Sequence, residues 1–377
     1  MSLYLDHNAT TPLCTPAQKA MVEAMDCVGN ASSDHCLGTH VKHCLERKRK
    51  FICKLLGVEK GTIVFTSGAT EGNNMIIQGM ARKYPGSTFV STRIEHPSVL
   101  NVMRYIKKAY NIKVVYVPVT SKGVVTLKAF EDVLKHHKNV SFCSIIYANH
   151  EIGTIQDISK LAIIAHKHGA VFHSDMTQAV GKIPVHLENL HVDAATWSAH
   201  KFYGCSGTGG LYMSNALLQY RPEQLCFGGN QELFSRPGTE NLVGIYGMCA
   251  ALDFSIKHME KDAEKYEDLR HYMLEELKAR DISFHLNGSQ TKHKYIPSTV
   301  NIAFPHVNSA ELVRYLSKKG ICVSQGSACK AKSKEGSNVL KAIELPETYG
   351  VIRVGMGHST TKHKIQRLVC EIENFMK

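Results

Sequence analysis

Between Ser198 and Gly204 the chain reads Ser-Ala-His-Lys-Phe-Tyr-Gly, which sets a single lysine, Lys201, between His200 and a glycine turn directly after an apolar strand-like run. A lysine held beside cationic and apolar neighbours releases its proton readily, and the free amine can condense with an aldehyde cofactor. Such a cofactor asks three further things of the chain: a cradle for a phosphate, an acid facing its ring nitrogen and a group to stack on its ring.

The cradle is best matched by Thr66-Ser67-Gly68-Ala69-Thr70-Glu71, where a strand ends, a glycine permits a tight turn and a helix begins near Thr70. The amides of Ala69 and Thr70 and the positive end of the helix dipole would hold a phosphate without a dedicated lysine. Thr70 equally suits a helix N-cap, which needs no ligand. Ser198, His200 and, from a distant segment, Thr239 offer further donors to the same phosphate. The ring acid is Asp175, because an aspartate at the carboxyl end of a buried strand points into the crevice where α/β proteins bind ligands. A turn aspartate capping the next helix is the alternative. Gln178 and Asn149 could hydrogen-bond a phenolic oxygen of the cofactor, and His96 could stack on its ring while titrating near neutrality. Lysine, cradle, acid and stacking partner together describe a site for pyridoxal 5'-phosphate.

These residues need a scaffold of strand ends, and the chain supplies one. Apolar strands at Thr62 to Phe65, Thr88 to Ser91, Val114 to Val117, Val140 to Tyr147, Ala170 to His173, Ala194 to Trp197 and Gly210 to Met213 alternate with helical stretches such as Ser98 to Ala109 and Ile158 to Lys167. Strands separated by helix-length crossovers predict an α/β fold with a mostly parallel sheet covered on both faces. After about Gly247 a long charged amphipathic stretch to Arg280 leads away, and Asn301 to Phe304 with Ala310 to Ser324 fits a smaller α/β domain.

Composition agrees with a large domain plus a small one: the chain has 377 residues, 44% of them hydrophobic. No apolar run approaches the ~18 residues of a membrane helix, and Met1 leads straight into Leu3-Tyr4-Leu5, so a cytoplasmic protein is expected. Twelve scattered cysteines without a Cys-x-x-Cys pair favour reduced thiols. Cys27, Cys36, Cys44 and Cys53 lack zinc-ligand spacing and read as core thiols on a helix, so no metal is expected. The net charge of +12 concentrates at Arg47-Lys48-Arg49-Lys50 and around Lys330, Lys332 and Lys334. Such runs read as solvated faces that attract acidic partners, and no nucleic-acid motif accompanies them.

The ordered motifs resemble those of the pyridoxal-phosphate-dependent cysteine desulfurases and their relatives the selenocysteine lyases. The resemblance runs from Leu5-Asp6-His7-Asn8-Ala9-Thr10-Thr11-Pro12 through Gly29-Asn30, Thr66 to Asn74, Glu95-His96, Asn149 to Thr154, Asp175 to Gln178, Ser198 to Gly204, Gly228 to Glu232 and Arg236 to Asn241 to Gly326 to Cys329 and Arg353 to Gly357. It implies the type I fold of pyridoxal-phosphate transferases, with a seven-stranded sheet in a large domain at 16–255 and a small domain from 1–15 and 256–377. It implies that Lys201, His96 and Cys329 are catalytic, with Cys329 taking sulfur from L-cysteine as a persulfide and leaving L-alanine. Arg353, helped by Asn30 and Asn149, would clamp the substrate carboxylate, since a guanidinium forks onto a carboxylate. A homodimer in which Thr239 reaches the phosphate of the other subunit is implied, as is an acceptor protein such as an iron–sulfur scaffold or a sulfurtransferase.

Several positions depart from the family pattern. Met176 stands where a small residue is usual, His150 for a frequent asparagine, Cys205-Ser206 for Pro-Lys, and Gly355 and His358 for Ser and Arg. The stretch Arg236 to Asn241 looks more like the selenocysteine lyases, and Gly326 to Cys329 more like the desulfurases. The alternatives are therefore a selenocysteine lyase acting on L-selenocysteine, an aminotransferase of the same fold, and a non-catalytic scaffold.

Overall fold

The computed structural model describes residues 2–325 and 336–377. Its centre is a seven-stranded sheet in the spatial order Thr62–Thr66, Gly209–Met213, Ala194–Ser198, Val171–Asp175, Val140–Ser144, Thr88–Thr92, Lys113–Val117. Gly209–Met213 runs antiparallel to both neighbours and every other pairing is parallel. Four of these strands, such as Ala194–Ser198 and Thr88–Thr92, are buried at every position, because helices cover both faces and the strands can be apolar throughout. The expected run Val140 to Tyr147 leaves the ladder at Ser144.

All six strands that share one direction deliver their carboxyl ends to one edge. Glycine makes the closest approach there possible: a Cβ on Gly209 would lie 2.6 Å from the Gly68 Cα, and Gly68 itself has φ +153°. The helix Ala69–Lys83 begins at that glycine.

The 38-residue helix Leu242–Ala279, capped by the Asn241 side chain on the Gly244 amide at 3.0 Å, joins this body to a second one. Its first half packs Ile245, Met248 and Leu252 into the main core, and its second half packs Leu269, Met273 and Leu277 into a separate core with Leu3, Leu5, Val300, Ile352 and Leu368. That second core surrounds an antiparallel sheet of His285–Leu286, Thr299–Pro305 and Tyr349–Gly355.

The basic run at 47–50 is only partly solvated. Arg49 is 6% exposed and sits in the helix Cys36–Leu55 with its two terminal nitrogens each 2.7 Å from a different carboxylate oxygen of Glu232. The cysteines also differ from a set of core thiols: Cys44 is buried, Cys36 is exposed and Cys27 precedes the helix. No helix among the described residues is long and apolar enough to cross a membrane.

Candidate active site

The carboxyl edge of the sheet encloses a cavity of about 240 Å³. Its wall is made by the residues that follow the strands: Ala69 and Thr70, His96, Asp175 and Gln178, and Ser198, His200 and Lys201. Arg353 enters from the second body on the strand Tyr349–Gly355. Nine residues expected from the sequence are thereby gathered from segments up to 284 positions apart.

Lys201 ends a short helical turn after Ala194–Ser198, and its Nζ donates to the carbonyls of Asn8 and Ala9, each at 2.7 Å. At the cradle, Ser198 Oγ accepts from the Ala69 amide at 2.8 Å. The helix N-cap there is Gly68, with no side-chain cap, so Thr70 is not the cap the sequence allowed and instead lies in the first turn facing the cavity. A helix N-terminus, two hydroxyls and a histidine form a donor set suited to a phosphate. His200 is held by Thr10 Oγ1 at 3.1 Å, and burial, then the Lys201 charge, pushes its imidazole down to about 4.

Asp175 is buried, and its carboxylate accepts from the Thr177 amide at 3.0 Å and from Asn73 Nδ2 at 2.9 Å. Burial alone would raise its pKa, but His96 and these hydrogen bonds outweigh it and hold the group below the ordinary carboxylate range. A carboxylate kept anionic at the cavity wall is the group that a pyridine nitrogen needs in order to stay protonated. The bond from the Thr177 amide makes Asp175 a turn residue as well, but among the described residues no helix lies between Val171–Asp175 and Ala194–Ser198 for it to cap.

His96 caps the helix Pro97–Ala109, with Nδ1 accepting from the Ser98 amide at 3.1 Å, so its neutral ring carries the proton on Nε2. Burial and the neighbouring His150 push it down to about 4, which corrects the expectation of titration near neutrality. Its ring meets that of His150 edge-on at 5.3 Å. His150 lines the cavity as well, and its neighbour Asn149 does not. Asn149 is fully buried; its side chain donates to the Ile94 carbonyl at 2.9 Å and accepts from the Glu151 and Ile152 amides at 2.9 and 3.0 Å. It holds a turn behind the wall.

Arg353 donates to the His150 carbonyl at 2.9 Å and to Asp6 Oδ1 at 2.8 Å, while its buried Nε has no partner among the described residues. Asp6 and Asn73 escaped the site reading of the sequence. Asn30 engages the Ser32 amide at 2.9 Å, and neither it nor Thr239 lines the cavity of this chain. Cys329, with Gly326, Ser327, Ala328 and Lys330, lies outside the described residues.

Of the departures, Met176 is fully buried within the main core and Thr177 beside it lines the cavity. A Cβ at Gly355 would stand 2.6 Å from Asn8 Oδ1, which explains the glycine there. His358 pairs with Asp262 at 3.2 Å.

The sequence profile of the aminotransferase class-V family matches residues 3–368. A cysteine desulfurase IscS of Dictyoglomus turgidum is 36% identical over 380 residues, covering 100% of this chain and 94% of that protein. Among solved structures, a NifS-like protein superposes with a TM-score of 0.90 at 32% identity, covering 100% of this chain and 99% of the other. SspA in complex with cysteine superposes with a TM-score of 0.79 at 28% identity over 94% of this chain and 99% of that one.

Proposed function

We infer that this chain, which belongs to the aminotransferase class-V family and to its cysteine desulfurases, is a pyridoxal-phosphate-dependent enzyme that removes sulfur from L-cysteine to leave L-alanine. The observation that carries the site assignment is the convergence of Lys201, Asp175 and Arg353 with the Ala69 helix N-terminus on one cavity. The donors and the anionic Asp175 fit pyridoxal phosphate, which when bound supplies an electron sink for the charge left at the substrate Cα.

In this reading Arg353 binds the substrate carboxylate. Two of its five N–H donors are engaged by His150 and Asp6, and the unpartnered Nε leaves an edge of the fork open. Lys201 Nζ moves the Cα proton, held over the wall by the Asn8 and Ala9 carbonyls. Asp175 holds the ring-nitrogen proton, and Asn73 and Thr177 hold Asp175. His96, neutral at working pH, offers its Nε2–H to the substrate sulfur, which keeps its own proton and so meets Cys329 as an uncharged thiol. The Cys329 thiolate attacks that sulfur; the S–S bond forms as the C–S bond breaks, and the carbon keeps the electron pair until it is protonated.

A homodimer, a sulfur-acceptor protein attracted by the +12 charge and a reducing cytoplasmic setting belong to the same proposal. Thr239 is exposed in this chain, and Val28 and Phe227 leave 71% and 83% of their surfaces open, as a protein that pairs would.

The test is the visible spectrum of the purified protein together with sulfide and alanine release from L-cysteine. The wild type is expected to be yellow and to form both products. Lys201→Ala should lose the band and at least about 10³-fold in rate, and Cys329→Ala should keep the band and form no sulfide. Sulfide release indifferent to Cys329 would move the assignment to a selenocysteine lyase, and a colourless protein that cannot be reconstituted would sink it.

A further inference from the structure

Apart from the active-site cavity, a groove of about 320 Å³ is lined by Arg93, Arg104, Tyr116, Asn338 and Lys341 with the buried Leu100. Its three cations come from three places in the chain: Arg93 follows the strand Thr88–Thr92, Arg104 lies on the helix Pro97–Ala109 and Lys341 on the helix Asn338–Ala342. Packing brings them together, because Ile94, next to Arg93, shares a small core with Val339 and Ile343, which flank Lys341. Ser337, the cap of that last helix, adds a tie: its hydroxyl donates to Glu151 Oε2 at 2.6 Å, and the neighbouring His150 lines the active-site cavity. The groove is thereby fixed to loops that also build the catalytic wall.

None of the three cations meets a carboxylate among the described residues, whereas Arg236, Arg280 and Arg353 are paired at 2.8, 2.5 and 2.8 Å. All three are exposed, and the helix Pro97–Ala109 adds Lys107 and Lys108 but no acidic residue. Glu95, a carboxyl whose charge would act on Tyr116, is pushed up to about 8 by burial and carries little charge near neutrality. Tyr116 keeps its proton, since burial raises its phenol against the opposing pull of Arg93 and Arg104. The Arg93 Cζ stands 4.8 Å from the centre of the Tyr116 ring, a stack that steadies the guanidinium plane. Every charged group of the groove is a donor without an acceptor, which suits several carboxylates presented together.

We propose that this groove is a docking surface for an acidic segment of a partner protein, the one that collects sulfur from the enzyme. The inference rests on the desulfurase reading, since only an enzyme that leaves a persulfide has sulfur to hand over. The place in the chain suits that task, because Asn338 stands nine residues after Cys329. A glutamate-rich segment would fill the donors left open, and the positive groove would speed its encounter. A single-stranded nucleic acid would want an aromatic face on which to stack its bases, and Arg93 already covers Tyr116.

The experiment measures binding of a fluorescein-labelled peptide of eight glutamates to the full-length holoenzyme at about 50 mM salt, where exposed charges are little screened. The triple variant Arg93→Gln, Arg104→Gln, Lys341→Gln should bind at least about tenfold more weakly. A control that removes three exposed lysines elsewhere, Lys128→Gln, Lys167→Gln, Lys278→Gln, should stay within about twofold of wild type. Equal weakening in both variants would mean that the peptide answers to net charge alone and would overturn the proposal, as would a wild type that does not bind the peptide. An eight-nucleotide single strand of DNA that binds more tightly than the peptide and is lost with the same three residues would reassign the groove to nucleic acid. Sulfide release from L-cysteine, with dithiothreitol as the sulfur acceptor, should be the same in wild type and the triple variant, because none of the three residues lines the cavity. A wild type that releases no sulfide has lost the desulfurase reading and takes the inference with it; normal sulfide release with undiminished peptide binding in the triple variant sinks the groove alone.

Discussion

Arg49 and Arg353 are both buried guanidinium groups, 6% and 2% exposed, yet they are used in opposite ways. Arg49 meets Glu232 with two parallel bonds of 2.7 Å, gives a further bond to the Ile63 carbonyl and touches Glu46 with Nε at 3.2 Å, while Glu232 also accepts from the Phe65 amide at 2.7 Å. Both partners of that pair are saturated, and the pair clamps the helix Cys36–Leu55 to the edge strand Thr62–Thr66. Arg353 meets Asp6 through one oxygen only and keeps its Nε without a partner among the described residues, beside a cavity. A buried charge whose donors are filled is a staple. One that keeps an unsatisfied polar atom beside a cavity is, in the function proposed above, the receptor for the substrate carboxylate.

The staple should give the larger effect on stability. Removing one member of a buried ion pair strands the other, so Arg49→Met is expected to cost about 3–5 kcal/mol in denaturant unfolding. The folded fraction should keep kcat/KM within about threefold of wild type, because substitutions without a shared partner act independently. Adding Glu232→Leu should return part of the loss and no more, since the Phe65 amide then lacks its acceptor, a penalty of about 1–3 kcal/mol. If Arg49→Met were as stable as wild type, the distinction between the two arginines would collapse.

The receptor should give the converse pattern. Arg353→Ala is expected to lower kcat/KM for L-cysteine by roughly 10²–10³-fold, or about 3–4 kcal/mol, through lost binding of the carboxylate. Its unfolding midpoint should move little, because the lost bonds to Asp6 and the His150 carbonyl are partly replaced by water from the cavity. The discriminating measurement is the substrate itself: cysteamine, which has no carboxylate, should react equally poorly with wild type and with Arg353→Ala. A variant that also loses activity towards cysteamine would make Arg353 a structural residue like Arg49.

The same contrast decides what could be seen in the sequence. Lys201, Asp175, Gln178, Ser198 and His200 lie in short motifs at strand ends, and a strand end in a parallel sheet fixes both location and direction, so these were legible. The sheet itself was legible because each strand carries an apolar run between helix-length crossovers, and the helix Ile158–Lys167 falls where its pattern put it. Side-chain partners from distant segments were not: nothing local announces that Asp6 will meet Arg353, 347 positions away. Asn149 stands five residues beyond the end of Val140–Ser144, and only three dimensions show its amide turned to backbone groups behind the wall. A signal for Arg49 did exist. Leu45, Arg49 and Ile52 recur at helical spacing and are all buried, so the apolar stripe predicts an inward-facing cation if the charge run is read by face rather than by composition. Asn73 is likewise flanked on its buried face by Ile76, Ile77 and Met80.

Glu95 extends the comparison to a third way of burying an ionisable group. Its Oε1 accepts from Thr92 Oγ1 at 2.7 Å and from the Ile146 amide at 2.9 Å, and its Oε2 has no partner among the described residues. Neither a saturated pair nor an open receptor, it avoids charge altogether: burial pushes the carboxyl up to about 8 from an ordinary 4.5. The folded protein therefore keeps a proton that the unfolded chain releases. The stability tied to that proton is complete below 4.5 and is lost as pH rises through about 8, at no more than about 1.4 kcal/mol per pH unit. Glu95→Gln has no proton to lose and keeps an oxygen for Thr92 and Ile146. Its stability relative to wild type should climb between about pH 5 and about pH 8, with the smallest difference at the acid end. Paired denaturant titrations at those two values measure the climb, and a difference that is the same at both would mean that Glu95 is ionised in the fold and has a counter-charge that the arginine comparison must then accommodate.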